Sequence, residues 1–296
     1  MTAEVGEDRW AAWLAHRRHG GDTEQLRRTL EFLAPIRAEV IAHAALTRGD
    51  TVLDVGCGEG LIAFAAAQKV GPSGRVIFSD VSNDLLDRCR RLASELGINE
   101  CCRFEQAAAS DLSPVEDASV DAVTLRSVLI YEPDKPAAFA EFHRVLRPGG
   151  RLSLFEPINR FASPEPITRI RGYDVGTLVD LTAKLKAVYE AIQPPATDPM
   201  VDFDERDLLR LAEHSGFEQI HLQLRADIER PKPTPWQAWL HSSGNPRIPT
   251  LAEAMEQTLT REETERLSAQ LRPQVEQGTG QQRMAVAYLW AIRPPD

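Results

Sequence analysis

From Thr51 onward, short apolar runs and helical segments take turns along the chain, and this alternation constrains the fold more than any other feature. Val52, Leu53 and Val55 make the first apolar run. RVIFSD (Arg75–Asp80), CRFEQ, VDAVTLR (Val120–Arg126) and RLSLFEP supply four more. Between them lie a helical stretch at 61–70 ended by GPSG, then SNDLLDRCRRLASELG with Ser82 or Asn83 as its cap and Gly97 as its end. KPAAFAEFHRVLRPGG follows, stopped by Pro148 and two glycines. Later, DERDLLRLAEHSGF reads as a helix, EQIHLQLR as a sixth strand and MAVAYLWAIR as a seventh. The pattern therefore predicts an α/β chain built on a doubly wound, seven-stranded, mostly parallel sheet covered by helices. Sheets of this kind receive ligands at the carboxyl ends of their strands, near the switch in strand order.

Three segments stand outside the alternation. Residues 8–46 read as helices. DRWAAWLAHRRH has Asp8 as a cap, and a longer stretch spaces Leu26, Leu30, Leu33, Ile36, Val40 and Ile41 helically. Pro35 is expected to kink or split that helix. The other two segments, at about 158–203 and 231–275, carry proline-rich entries and helical bodies. In the first, Leu178, Leu181, Leu185, Val188 and Ile192 form a narrow apolar stripe, read as core packing with a hydrophobic pocket or a dimer seam as alternatives. The expected organisation is an N-terminal helical cap at 1–48 and one sheet domain at 49–296 with helical insertions over its site.

The first strand runs into TVLDVGCGEG, in which Gly56, Gly58 and Gly60 open the following helix. Glycine permits positive φ and a close approach of backbone to a ligand. A helix N-terminus adds free N–H groups and partial positive charge. Together they make a seat for a carboxylate-bearing or anionic group. Asp80 closes the second strand, where a carboxylate can accept hydrogen bonds from two vicinal ribose hydroxyls. A nucleoside-containing cofactor follows from the pair.

Two cofactors compete. Dinucleotide binders use G-x-G-x-x-G, but here Leu61 stands at the last position and the third glycine comes one residue early. VLDVGCGEG instead resembles the cofactor loop of class I S-adenosylmethionine-dependent methyltransferases. VDAVTLRSVLIYEPD is similar to that family's fourth strand and following loop, and EFHRVLRPGGRLSLFEP to the helix, turn and fifth strand of its ubiquinone-biosynthesis-like (methyltransferase type 11) branch. The resemblance covers about residues 50–157 and, more loosely, the last two strands.

The resemblance implies roles residue by residue. Gly56 and Gly58 approach the methionine part of S-adenosyl-L-methionine, with Cys57 between them as a small filler. Asp54 orients the loop or meets the cofactor's ammonium. Asp80 holds the ribose, Val81 packs on the adenine, and Arg126 contacts the methionine end. Where the family often carries an acid followed by alanine, this chain has Ala108 and Ala109, so backbone, Ser110 or Asp111 takes over there. Tyr131 stands where many relatives place a histidine near the transferred methyl, and Glu156 ends the fifth strand. These two are the catalytic candidates on the acceptor side.

Other residues have plainer readings. His143 is read as structural. Arg169 and Arg171 are candidates for a substrate carboxylate or phosphate, with a solvated face as the default. The run from His16 to His19 is read as a surface helix end, with closure over the site as the alternative.

A formal net charge of −10 argues against a nucleic-acid backbone or an anionic membrane as partner. The absence of an N-P-P-[YF]-like motif after the fourth strand, where RSVLIY stands, argues further against a nucleic-acid methyltransferase. The four cysteines show no metal-type pairing and read as reduced thiols in a cytosol. No export signal or membrane span is legible. The expected activity is methyl transfer to a small, partly apolar metabolite by a cytoplasmic monomer or homodimer without a metal. A non-catalytic cofactor-binding regulator, an enzyme using the sulfonium for other chemistry, and a nicotinamide-dependent oxidoreductase are the rivals.

Overall fold

The computed structural model describes residues 8–20 and 22–295. Residues 1–7, on which much of the reading for an export signal rests, lie outside the described residues. The first third holds α1 (Arg9–Ala12, continued by a π-helical turn, Trp13–Arg17), α2 (Thr23–His43), β1 (Thr51–Val55), α3 (Ala63–Val70), β2 (Arg75–Asp80) and α4 (Asn83–Glu95). Next come β3 (Cys102–Gln106), β4 (Val120–Arg126), α5 (Lys135–Val145), β5 (Leu146–Pro157), a small pair β6 (Arg169–Ile170) and β7 (Tyr173–Asp174), and α6 (Val179–Ile192). The chain then forms α7 (Glu205–His214), β8 (Glu218–Glu229), α8 (Trp236–Leu240), α9 (Leu251–Thr258), α10 (Arg261–Gln277) and β9 (Gln282–Ile292).

The large sheet has seven strands in the order β3-β2-β1-β4-β5-β9-β8. β1 pairs in parallel with β2 and β4, β2 with β3, and β4 with β5. β9 runs antiparallel to β5. This is the doubly wound, mostly parallel sheet that the alternation predicts. The chain leaves β1 toward β2 and β3 on one side and resumes with β4 and β5 on the other. The switch in direction therefore falls between β1 and β4, whose carboxyl ends lie side by side.

The chain divides into two compact units. One contains residues 31–158, 203–225 and 286–296, with the sheet at its centre. Its inner strands are buried almost end to end, the polar Asp54, Ser79, Asp80 and Thr124 included. Phe78 is fully buried, with the rings of Phe64 and Phe104 5.1 and 4.9 Å from its own. The second half of α2 belongs here: Ser153 Oγ donates to Val40 O at 2.8 Å, and His43 stacks on Trp290 at 3.8 Å. His143 meets Phe217 edge to face at 5.3 Å, a packing role.

Among the described residues, the other unit contains 8–20, 22–30, 159–202 and 226–285. Residues 8–20 and 22–30 fall in this unit with both stretches expected as insertions, and residues 31–43 fall in the unit that holds the sheet. Leu181 and Leu185 are 1% exposed at the centre of this unit's core, with Trp236, Trp239, Leu267 and Leu271. The α6 stripe therefore packs inside its own unit, apart from Ile192, which is 45% exposed. Arg171 donates to Trp239 O and to Ser242, while Arg169 meets Gln281. Arg17 pairs with Glu253 at 2.5 Å.

Two local expectations change. Pro35 lies inside a helix that runs unbroken from Thr23 to His43. Proline removes one N–H and crowds one carbonyl, and here the flanking turns continue across it. The fifth strand begins at Leu146 rather than after the glycines. Leu146 pairs with Val120 and Arg151 with Ala122, so the register shifts over the intervening Arg-Pro-Gly-Gly.

Candidate functional site

At the carboxyl end of β1, Asp54 is 2% exposed. Its Oδ2 accepts the Ala63 N–H at 3.0 Å and its Oδ1 the Thr124 hydroxyl at 2.8 Å. A strand residue thereby caps α3 from outside the helix, satisfying one of the N–H groups a helix start leaves open. The partner on β4 is dictated by register, since Asp54 lies opposite Thr124. Burial raises the Asp54 carboxyl to about 7, while the Thr124 and Ala63 bonds and the charge of Arg126 favour ionisation.

Gly56 and Gly58 follow with φ of 61° and 56°. A Cβ on Gly56 would meet Val128 Cγ2 at 2.5 Å, so no larger residue fits. A Cβ on Gly58 would meet nothing within 4 Å. One glycine is needed for packing inside the fold, and the other faces open space. Asp80, 7% exposed at the end of β2, accepts the Gly58 N–H at 2.8 Å and the Ser82 N–H at 2.9 Å. It thus ties the glycine turn to the start of α4. Val81, beside it, is 48% exposed, an apolar side chain left in solvent.

The turn after β3 holds Ala108 and a buried Ala109. Ser110 Oγ donates to Glu132 Oε2 at 3.0 Å, and Glu132 is 8% exposed. Asp111 accepts the Ser113 N–H.

After β4 the backbone turns sharply, with Ser127 at φ 56°, into a single 3₁₀ turn, Leu129–Tyr131. Glu156, from the end of β5, governs this turn. Fully buried, it accepts the N–H groups of Val128, Leu129 and Ile130 at 2.8, 3.0 and 3.3 Å. Burial raises its carboxyl to about 7, and those three bonds and Arg126 oppose the rise. Both oxygens of Glu156 are engaged by backbone, so its place is under the turn that carries Tyr131. Sequence reasoning read a strand-end acid as a reactive group, but its partners lie 26 to 28 residues away and are not legible from spacing.

Arg126 closes β4 between β1 and β5, acting electrostatically on both Asp54 and Glu156. The structure thus brings Asp54, Gly56, Cys57, Gly58, Asp80, Val81 and Arg126 to the carboxyl ends of β1, β2 and β4. Ala108 and Ala109 follow β3, Tyr131 lies in the turn after β4, and Glu156 holds that turn from the end of β5. Two contributors escaped sequence reasoning. One is Thr124, predictable only from register. The other is Glu132, which stands two residues before the Asp134 cap of α5. Among the described residues no group of three or more His, Cys, Asp or Glu could hold a metal ion, and no helix is long and apolar enough to cross a membrane.

An open, doubly wound sheet with a glycine turn and an acid at its switch point is the architecture of nucleotide-binding α/β proteins. Within that class the match is specific. The methyltransferase-domain family model matches residues 46–217, and the chain belongs to this family. Among curated relatives, the arsenite methyltransferase of Halobacterium salinarum is 34% identical over 169 residues, 55% of this chain and 43% of that one. The ubiquinone/menaquinone biosynthesis C-methyltransferase of Francisella tularensis subsp. novicida is 35% identical over 120 residues, 40% of this chain and 48% of that one. The chain thus spans about half the length of the curated relatives it matches. The solved geranyl diphosphate C-methyltransferase of Streptomyces coelicolor A3(2) shares the fold at 18% identity and a TM-score of 0.51, covering 88% of this chain and 76% of that one.

Proposed function

We propose that this protein binds S-adenosyl-L-methionine at the switch between β1 and β4 and transfers its methyl group to a small, partly apolar molecule. The observation that carries the reading is the Asp80–Gly58 clamp at 2.8 Å beside an open-faced glycine. The residues present fit such a cofactor. Gly58 admits close backbone approach, since the space beyond its α-carbon is open. Asp80 stands where hydroxyl acceptors are needed, Val81 offers an apolar surface to a flat base, and Arg126 offers charge to a carboxylate. Asp54 and Glu156 hold the two turns on either side of Arg126.

Family membership supports the reading, and so do the names of the relatives, which methylate arsenite or act in quinone biosynthesis. The geranyl diphosphate C-methyltransferase was solved with S-adenosyl-L-homocysteine bound. The bound cofactor supplies a methyl group already activated by its sulfonium, so the chain's task is alignment more than acid–base chemistry. Tyr131 is the acceptor-side side chain of this unit, and Glu156 acts through the turn that carries it. A net charge of −10 favours a small-molecule acceptor over nucleic acid. A cytoplasmic monomer or homodimer completes the proposal.

Calorimetric titration with S-adenosyl-L-homocysteine and with NAD tests the cofactor. Saturable binding of the first alone is expected, and binding of NAD alone would reject the reading. Incubation with labelled S-adenosyl-L-methionine and a panel of metabolites then tests transfer, with a labelled acceptor as the expected product.

A further inference from the structure

Behind the glycine turn lie two thiols that methyl transfer does not call on. Cys57 is 6% exposed and Cys89, on α4, is 1% exposed. Both point at the same oxygen: Cys89 Sγ lies 3.3 Å and Cys57 Sγ 3.8 Å from Gly58 O. A Cβ built on Gly60 would meet Cys89 Sγ at 3.3 Å, so this sulfur sits against the turn from within. Sharing that acceptor brings the two thiols into one neighbourhood, where they interact with each other. That interaction, followed by burial, holds the Cys57 thiol above its ordinary range. Thiolate is the reactive form, so the pair rests as two thiols in the closed fold, and attack on an oxidant proceeds from the small thiolate fraction formed when the turn opens locally.

We propose that Cys57 and Cys89 are an oxidation site: a two-electron oxidant of the peroxide class joins them in an intrachain disulfide that pulls the glycine turn out of its cofactor-binding conformation. The chemistry balances. One sulfur attacks the peroxide O–O bond, giving a sulfenic acid and one water. The second sulfur then attacks the sulfenic sulfur, the S–S bond forms, the S–O bond breaks, and a second water leaves with the remaining thiol hydrogen. Two thiols are oxidised and one peroxide is reduced. Sulfurs in a disulfide stand about 2.05 Å apart with a fixed torsion. A turn already confined by positive φ at Gly56 and Gly58 and by the Asp80 bond has to move to meet that geometry. The loss of binding rests on the cofactor reading above, whereas formation of the bond does not.

The test uses the whole reduced protein, titrated with hydrogen peroxide, alkylated and mapped by peptide mass. The expected product is one linked pair of peptides carrying Cys57 and Cys89, two hydrogens lighter than their sum and reversed by dithiothreitol. S-adenosyl-L-homocysteine at saturation slows its formation, and oxidised protein binds that ligand about tenfold or more weakly. Cys89→Ala abolishes both the linkage and the oxidant's effect on binding. Should that variant fail to fold, Cys102→Ala, which leaves the pair intact, is expected to form the linkage as the parent does. The proposal is overturned if Cys57 and Cys89 stay separately alkylatable while Cys101 is consumed, or if Cys89 links to Cys102 instead. A linkage that leaves affinity unchanged overturns the switching half. Reduced protein that never binds S-adenosyl-L-homocysteine counts against the cofactor reading and leaves the peptide map to decide the bond.

Discussion

The carboxylate of Asp80 accepts the N–H of Gly58 at 2.8 Å, so the end of β2 and the turn leaving β1 move as one piece. Asp80→Ala removes that acceptor and the one for Ser82 N–H. Unfolding free energy is expected to fall by about 1–3 kcal/mol, and affinity for S-adenosyl-L-homocysteine by on the order of 10²-fold. Calorimetry on the folded variant checks this. Undiminished affinity would remove Asp80 from the site.

Gly56 and Gly58 are expected to fail differently. Gly58→Ala puts a residue at φ 56° with open space beyond it, so the stability cost is the left-handed strain of about 1–2 kcal/mol. The new methyl intrudes on whatever the turn approaches, and cofactor affinity drops further than stability does. Gly56→Ala adds a 2.5 Å clash with Val128 and lowers the melting temperature more. Paired melting and binding curves separate the two.

Val81→Ser changes a side chain that is 48% exposed and packs little in the fold. The melting temperature is expected to stay within about a degree, since exposed substitutions change stability by less than about 0.5 kcal/mol. Affinity for the adenine-bearing ligand should fall severalfold. Equal affinity for both proteins would show that the base lies elsewhere.

Asp54 makes stability depend on pH with a sign opposite to that of an ordinary salt-bridged acid. Its carboxyl is near 7 when folded and about 3.9 when unfolded. The folded state then holds more protons between those values. Asp54's contribution therefore falls as pH rises from about 4 to about 7 and levels off above. In Asp54→Asn the amide oxygen can accept the Ala63 N–H, and the amide N–H can donate to Thr124 Oγ1 once that hydroxyl turns round, so the fold should persist. Urea midpoints from pH 5 to 8 are expected to show the parent losing stability relative to the variant as pH rises. A constant difference would contradict the assignment.

Glu156→Gln should be the harsher change. Three N–H groups converge on two carboxylate oxygens, and an amide turns one of those oxygens into a donor. A cost of about 1–3 kcal/mol is expected, with faster hydrogen exchange confined to residues 127–131. In the parent, affinity for S-adenosyl-L-homocysteine should rise between pH 6 and 8, as Glu156, held near 7, ionises and grips the turn. In the variant that rise should shrink. An unchanged pH profile would restrict Glu156 to packing.

The sheet and the glycine turn are legible in the sequence because they are local. A short, mainly apolar run such as 52–55, with Asp54 its one polar member, marks a buried strand, and Gly58 marks a turn open to close approach. What was not legible is non-local. Nothing near Glu156 announces three amides some 27 residues upstream, and only strand register puts Thr124 opposite Asp54. The Arg-Pro-Gly-Gly of β5 reads as a stop, yet the sheet absorbs it as a register shift. The second unit is the least readable, because its core joins α6 with α8, α9 and α10 from separate stretches of chain.

β9 lies inside the sheet, between β5 and β8, with Ala287, Leu289 and Ala291 buried. A single proteolytic nick between α8 and α9 would therefore yield a short fragment whose final strand is clasped on both edges by the longer one. The two pieces should co-elute under native conditions and part only in denaturant, so that the severed strand behaves as a tightly held peptide guest of the remaining sheet.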